Sequence, residues 1–134
     1  MYLIDTSIWI SYLKGEKNAG VDYLKDILAK RSAFGITSVI YQEILQGVYS
    51  EKDFNELKEY FETQEFYHPK DPILTYEFAA SLYFRCRKKG LTIRSTIDCL
   101  IASIAIEHDL LLLHNDKNFE EIAKIIPELN LVKL

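Results

Sequence analysis

Two rhythms of apolar and polar positions run along this chain. Tyr2 to Ile4 is a short apolar, partly β-branched run that stops at Asp5, and helical spacing follows from Ser7, which predicts a strand and then a helix. Gly15 and Gly20 bracket the next break. Val21 to Lys30 carries Tyr23, Leu24, Ile27 and Leu28 at amphipathic-helix spacing, and Ala33 to Ile36 reads as a second short strand. Thr37 or Ser38 can cap a third helix that runs to about Gly47. A fourth helix is expected from Lys52 to Thr63, after a turn at Ser50. Pro72 suits the first turn of a long helix ending near Gly90, because proline favours helix starts and glycine the position past an end. Ser95 opens a further helix through Ile106. The all-apolar Leu110 to Leu113 then fits a parallel strand covered on both faces, and Leu129 to Val132 a last strand.

Strands alternating with helices predict an α/β domain layered around a mainly parallel sheet, with residues 1–134 as one domain. At 49% hydrophobic residues the chain has enough apolar area for a core without disulfide or metal staples. Cys86 and Cys99 lack metal-ligand spacing and read as ordinary thiols. The opening apolar run, cut by Asp5, lacks the basic start and length of a secretory leader. Asp98 and Ser103 interrupt the longest membrane-helix candidate, Thr96 to Ile106. A soluble protein of the reduced cytoplasm, with no membrane partner, is the expectation.

The formal net charge of −4 excludes a general nucleic-acid coat protein, which needs a basic excess. That average hides a separation. Phe78 to Ile97 holds Arg85, Arg87, Lys88, Lys89 and Arg94 and no acid, whereas Glu51 to Glu65 carries six acids against Lys52 and Lys58. Either run can be an ordinary solvated helix face.

Four carboxylates stand at strand ends, helix starts or on an apolar helix stripe. Asp5 ends the first strand, and Asp116 lies just past the Leu110 to Leu113 strand in "LLLLHNDKNF". The carboxyl ends of parallel strands line the ligand crevice of open sheets, so both acids should reach the same edge, although each is also a favoured helix cap. Glu43, in "TSVIYQEILQGV", shares a helical stripe with Ile36, Val39 and Ile40, and no basic residue lies within a turn of it. A carboxylate turned toward a core costs several kcal/mol unless something pairs with it. Asp98 sits three residues after Ser95, a capping-box spacing, and stacks over the small Ala102 and Ala105. If the four converge, like charges push one another toward protonation, and a hard divalent cation with oxygen ligands relieves the conflict. His68, His108 and His114 have no zinc-site spacing and read as surface or strand-end residues.

Taken in order, "YLIDTS", "SVIYQEILQG", "STIDCLIASIA" and "LLLLHNDKNF" resemble the PIN domain, and specifically the VapC-type toxins of toxin–antitoxin pairs, over almost the whole chain. The resemblance implies a PIN-like three-layer α/β/α domain with a short, mainly parallel central sheet. It implies an Mg²⁺- or Mn²⁺-dependent endoribonuclease whose acidic quartet is Asp5, Glu43, Asp98 and Asp116, with Thr6 and Ser7 orienting those acids from behind. Asp5 and Asp98 would be the principal metal ligands, Asp116 a further or water-mediated one, and Glu43 a ligand or proton acceptor. A homodimer and a small cognate antitoxin lying over a helical groove are implied as well.

Two positions depart from the family pattern: His114 stands where threonine is usual, and Asn118 where an acid is frequent. They imply a weaker second metal position, or one filled only with substrate. Because an acidic pocket repels RNA, Arg94 and Arg85 are the expected phosphate-gripping residues. Tyr41, Tyr49, Phe54, Tyr60 and Phe61 offer more aromatic surface than one small core needs, while Trp9 reads as core.

Three other classes fit less of the pattern. A noncatalytic receiver-like Mg-binding module needs paired acids at strand one and a late-strand lysine, where Ile4-Asp5 and His114-Asn115 stand. A haloacid-dehalogenase-like phosphatase needs a second Asp at Ser7. A degenerate PIN domain that only binds RNA would lack part of the quartet.

Overall fold

The computed structural model describes residues 1–134. Strand β1 (Tyr2–Ile4) leads into α1 (Thr6–Leu13) and α2 (Ala19–Ala29), and β2 (Phe34–Ile36) into α3 (Ser38–Gln46) and α4 (Glu51–Glu62). After β3 (Glu65–Phe66) come α5 (Pro72–Lys88) and α6 (Thr96–Glu107), then β4 (Leu111–Leu113), α7 (Lys117–Ile125) and β5 (Asn130–Leu131).

Local chemistry sets most of these boundaries. Thr37 caps α3 by accepting from Ile40 N at 3.1 Å, and Ser50 caps α4 by accepting from Asp53 N at 3.1 Å. Asp71 caps α5 ahead of Pro72. Gly90, at φ +78°, ends α5 in the left-handed turn that lets Leu91 N reach Cys86 O at 2.9 Å.

All five strands are parallel, in the order β3-β2-β1-β4-β5. The chain steps outward from β1 to β3 on one side, then crosses back to β4 and β5 on the other. Right-handed crossovers in opposite directions put α1–α4 on one face and α5–α7 on the other. The helix packing agrees: α1 touches α2 and α3, α3 touches α4, and α5, α6 and α7 touch one another. The result is the α/β/α layering predicted above, and the order reverses between β1 and β4, where a parallel sheet opens its ligand crevice.

Leu3, Ile4, Ile36, Leu112 and Leu113 fill the middle of the sandwich. Trp9 is core as expected, its ring standing edge-on to Phe61 at 4.8 Å. One strand expectation needs correction, and one strand was not anticipated. Leu111 is 39% exposed, so β4 is covered on both faces only at Leu112 and Leu113. β3 has no alternating pattern to reveal it, because it is two residues long and exists through backbone pairing with Gly35 and Ile36. Gly35 permits that pairing: a Cβ there would meet the Tyr67 ring and come within 2.9 Å of Glu65 O.

Candidate active site

The first acid follows from the end of β1. Asp5 N donates to Leu113 O at 2.9 Å, which ties the β1 terminus to β4 across the reversal point. Its side chain is 4% exposed and is the N-cap of α1. Ser7 holds Asp5 Oδ2 twice, from its backbone N at 3.1 Å and from Oγ at 2.6 Å. The same Oγ accepts from Asn115 N at 3.1 Å, so one serine links the chain after β1 to the chain after β4.

Glu43 is half-buried on α3, and Thr6 Oγ1 donates to its Oε1 at 2.7 Å. The core-facing carboxylate inferred from the helical stripe is therefore a cleft residue held by a hydroxyl and paired with no cation. Asp116 caps α7, its Oδ1 accepting from Asn118 N at 2.9 Å. For Asp5 and Asp116, capping and cleft position coexist.

Asp98 behaves differently from its sequence pattern. Ser95 makes no side-chain cap bond, so the capping-box spacing is not realised. Ala102 and Ala105 are packed in the core and open no approach for an ion beside Asp98. Asp98 is 8% exposed, and its Oδ2 accepts from Asn118 Nδ2 at 2.8 Å. Burial pushes its pKa up to about 7; the Asn118 bond opposes the shift, and the carboxylates of Asp116, Asp5 and Glu43 reinforce it. Burial raises Asp5 in the same way, against the Ser7 bonds, with Asp116 adding to the rise.

A common pattern emerges. Each of the four acids has one oxygen in a protein hydrogen bond, and the other has none. No cationic side chain pairs with any of them, because the ion pairs all lie elsewhere on exposed helix surface. No three His, Cys, Asp or Glu side chains form a ready-made ligand cage. Asp5, Glu43 and Asp116 are near enough to act on Asp98. Held and open oxygens without a counter-charge are the donor set of a hard divalent cation, so the residues fit Mg²⁺ or Mn²⁺.

The two departures from the family pattern have structural roles that sequence reasoning missed. His114 directly follows β4, the strand-end place that was one of its two expected positions, and is 8% exposed, buried against Phe119. Its Nδ1 accepts from Asp116 N at 3.1 Å, and burial lowers its pKa, which suits the neutral ring this bond requires. Asn118 bonds Asp116 and Asp98 together, as described above. The available signals were their departure from the family pattern and their closeness to Asp116 in sequence.

Arg94 is exposed in the loop before α6, four residues from Asp98, and makes no ion pair. Arg85 is less close. It shares a groove with Lys88, Lys89, Lys124 and Ile125, and Lys124 stands about 9 Å along α7 from Asn118 at helical rise. Lys117, the nearest counterpart of a receiver-like lysine, is exposed and unpaired. Cys86 and Cys99 are buried free thiols; burial raises both, Cys99 to about 12.

A five-stranded parallel sheet in an α/β/α sandwich, with four cation-free acids at its switch point, defines a PIN-like domain. The PIN domain family's sequence profile matches residues 2–125. The chain belongs to the PIN domain family. It is 32% identical over 126 residues to the VapC ribonuclease Mb1587 of Mycobacterium bovis and to ribonuclease VapC11 of Mycobacterium tuberculosis, covering 93% of this chain and of each relative. Among solved structures it is similar to VapBC2 of Rickettsia felis bound to a promoter DNA fragment, with TM-score 0.72, 23% identity, and 99% and 98% of the two chains covered. VapBC-1 of nontypeable Haemophilus influenzae gives TM-score 0.69 at 23% identity, over 98% and 96%.

Proposed function

We propose that this chain is a divalent-metal-dependent endoribonuclease that hydrolyses RNA phosphodiester bonds, and the toxin of a toxin–antitoxin pair. The observation that carries the reading is the set of four acids at the β1/β4 crevice, each with one oxygen fixed and one open. The relatives' names, VapC ribonuclease and ribonuclease VapC11, support the substrate class.

Asp5 and Asp98 would hold Mg²⁺ or Mn²⁺ directly, with Asp116 as a further or water-mediated ligand. When bound, such a cation neutralises the attacked phosphodiester and makes water a better nucleophile. Glu43 ligates or accepts the proton of the attacking water, its carboxylate oriented by Thr6. Ser7 keeps Asp5 in register with the β4 end. Arg94 holds a flanking phosphate beside Asp98, and Arg85 a more distant one.

The antitoxin is a second part of the proposal. VapBC complexes among the structural neighbours support a partner protein for this fold. Exposed Leu13, Tyr49, Phe54 and Tyr60 supply apolar surface for it on the α1–α4 side. A homodimer through α5 has support from exposed Ile73, Tyr76 and Phe84, and antiparallel self-pairing would set Glu77 near the partner copy's basic helix end. No helix is long and apolar enough to cross a membrane, and the cytoplasm is the proposed setting.

The deciding experiment is incubation of total RNA with the protein and Mg²⁺, Mn²⁺ or chelator, followed by mapping of the new ends. Discrete cuts that need the cation and vanish with Asp5→Asn are expected. Wild-type cleavage by a folded Asp5→Asn protein would remove Asp5 from the mechanism, and cleavage in excess chelator would remove the cation.

A further inference from the structure

Asn118 hydrogen-bonds two acids of the cleft that come from different helix starts. Its backbone N–H donates to Asp116 Oδ1 at 2.9 Å, and its side-chain Nδ2 donates to Asp98 Oδ2 at 2.8 Å. Asp98 comes from the first turn of α6 and Asp116 from the cap of α7, so no covalent geometry fixes their spacing. Ser95 gives α6 no side-chain cap, and the Asn118 amide is the only side-chain hydrogen bond that fixes the orientation of this buried carboxylate.

The helix itself gives no reason for asparagine here. Asn118 is the second residue of α7, where the helix dipole favours Asp or Glu, and asparagine is a poor helix former. An acid in the same place would have no N–H to donate and would add a fifth negative charge against Asp98. The hydrogen bond to Asp98 is what an amide provides and an acid does not.

We propose that Asn118 is a positioning residue: its amide pins one oxygen of Asp98, and its backbone pins one of Asp116, so that the two carboxylates are held in the orientation in which they would take up a divalent cation. Asn118 acts through Asp98 and Asp116 and touches neither RNA nor the reacting atoms. The inference rests on the metal-dependent reading above and adds the residue that sets the spacing of two of its ligands. Residues that orient metal ligands typically change metal affinity about 10- to 100-fold when removed.

The test is Mn²⁺ binding by calorimetry, compared for wild type, Asn118→Ala and Asn118→Leu. The leucine variant keeps the side chain's size and removes its donor, and both variants keep the backbone bond to Asp116. Affinity about tenfold weaker or more in both is expected. Cleavage should lose kcat with KM for RNA unchanged, and metal-free melting should stay close to wild type. If the alanine variant melts far lower, the leucine variant decides. Wild-type Mn²⁺ affinity in a folded variant would overturn the assignment, as would a loss confined to KM. A wild type that takes up no Mn²⁺ would overturn this inference together with the metal-dependent reading. Uptake without RNA cleavage would remove the nuclease reading alone, and the affinity comparison would still decide for Asn118.

Discussion

Thr6 Oγ1 donates to Glu43 Oε1 at 2.7 Å, joining the start of α1 to the middle of α3 across 37 residues of chain. It is the partner that Glu43's place on an apolar stripe demanded, and it is a hydroxyl where an ion pair was the ordinary alternative. A hydroxyl orients the carboxylate without cancelling its charge. Thr6→Val keeps the shape and removes the bond. The expected cost is about 1 kcal/mol in chemical denaturation, with cleavage slowed by about an order of magnitude because Glu43 is no longer held.

The acid cluster should make the metal-free protein less stable as pH rises. Asp98 titrates at about 7 in the fold against an ordinary 3.8, so between those values the folded state holds a proton that the unfolded state lacks. The resulting stability is fully present below about 4 and lost as pH rises through about 7, at a slope of at most about 1.4 kcal/mol per pH unit. Asp5, raised by burial, acts in the same direction. Denaturant melts in chelator from pH 4 to 8 measure the slope, and Asp98→Asn should flatten it.

Cation and proton compete for the same oxygens. Mn²⁺ should therefore raise the melting temperature more at pH 8 than at pH 5, by mass action on the folded state. Equal stabilisation at both values would place any bound Mn²⁺ away from Asp98.

Ser7 spans 108 residues of sequence when it accepts from Asn115 N while donating to Asp5. Ser7→Ala removes both hydroxyl bonds and leaves Asp5 only the backbone N–H of residue 7. A loss of about 1–2 kcal/mol and clearly weaker cleavage are expected, checked by denaturation and by initial rates on the mapped RNA.

The β2/β3 edge depends on a missing side chain. Gly35→Ala would drive its Cβ toward Glu65 O, a backbone atom that cannot swing aside. About 2–3 kcal/mol of destabilisation is expected, with cleft cleavage per folded molecule unchanged. Hydrogen exchange should show the loss first at Glu65 and Phe66.

Neutralising Arg94 should weaken RNA binding across sequences and reduce the dependence of log affinity on log salt by about one unit. Arg85→Gln should change affinity less, because its groove with Lys88, Lys89 and Lys124 includes none of the four acids. An unchanged salt slope for Arg94→Gln would leave it an ordinary surface residue.

The sequence by itself determined most of the local elements and singled out the candidate acids. Thr37, Ser50, Pro72 and Gly90 mark helix ends because their effect lies within a turn of the residue concerned, where periodicity and side-chain chemistry can be read directly. Asp5 and Asp116 were legible for the same reason, since each lies between a strand and the helix that follows it. Tertiary structure alone decided which oxygen of each acid is held and by what. It put Asn118 on Asp98 where a capping box from Ser95 had been expected, buried His114 under Phe119, and made a strand of Glu65 and Phe66. These are contacts between segments far apart in the chain. No spacing rule carries them, because they come from the order in which the strands pack and from the crevice that this order opens between β1 and β4.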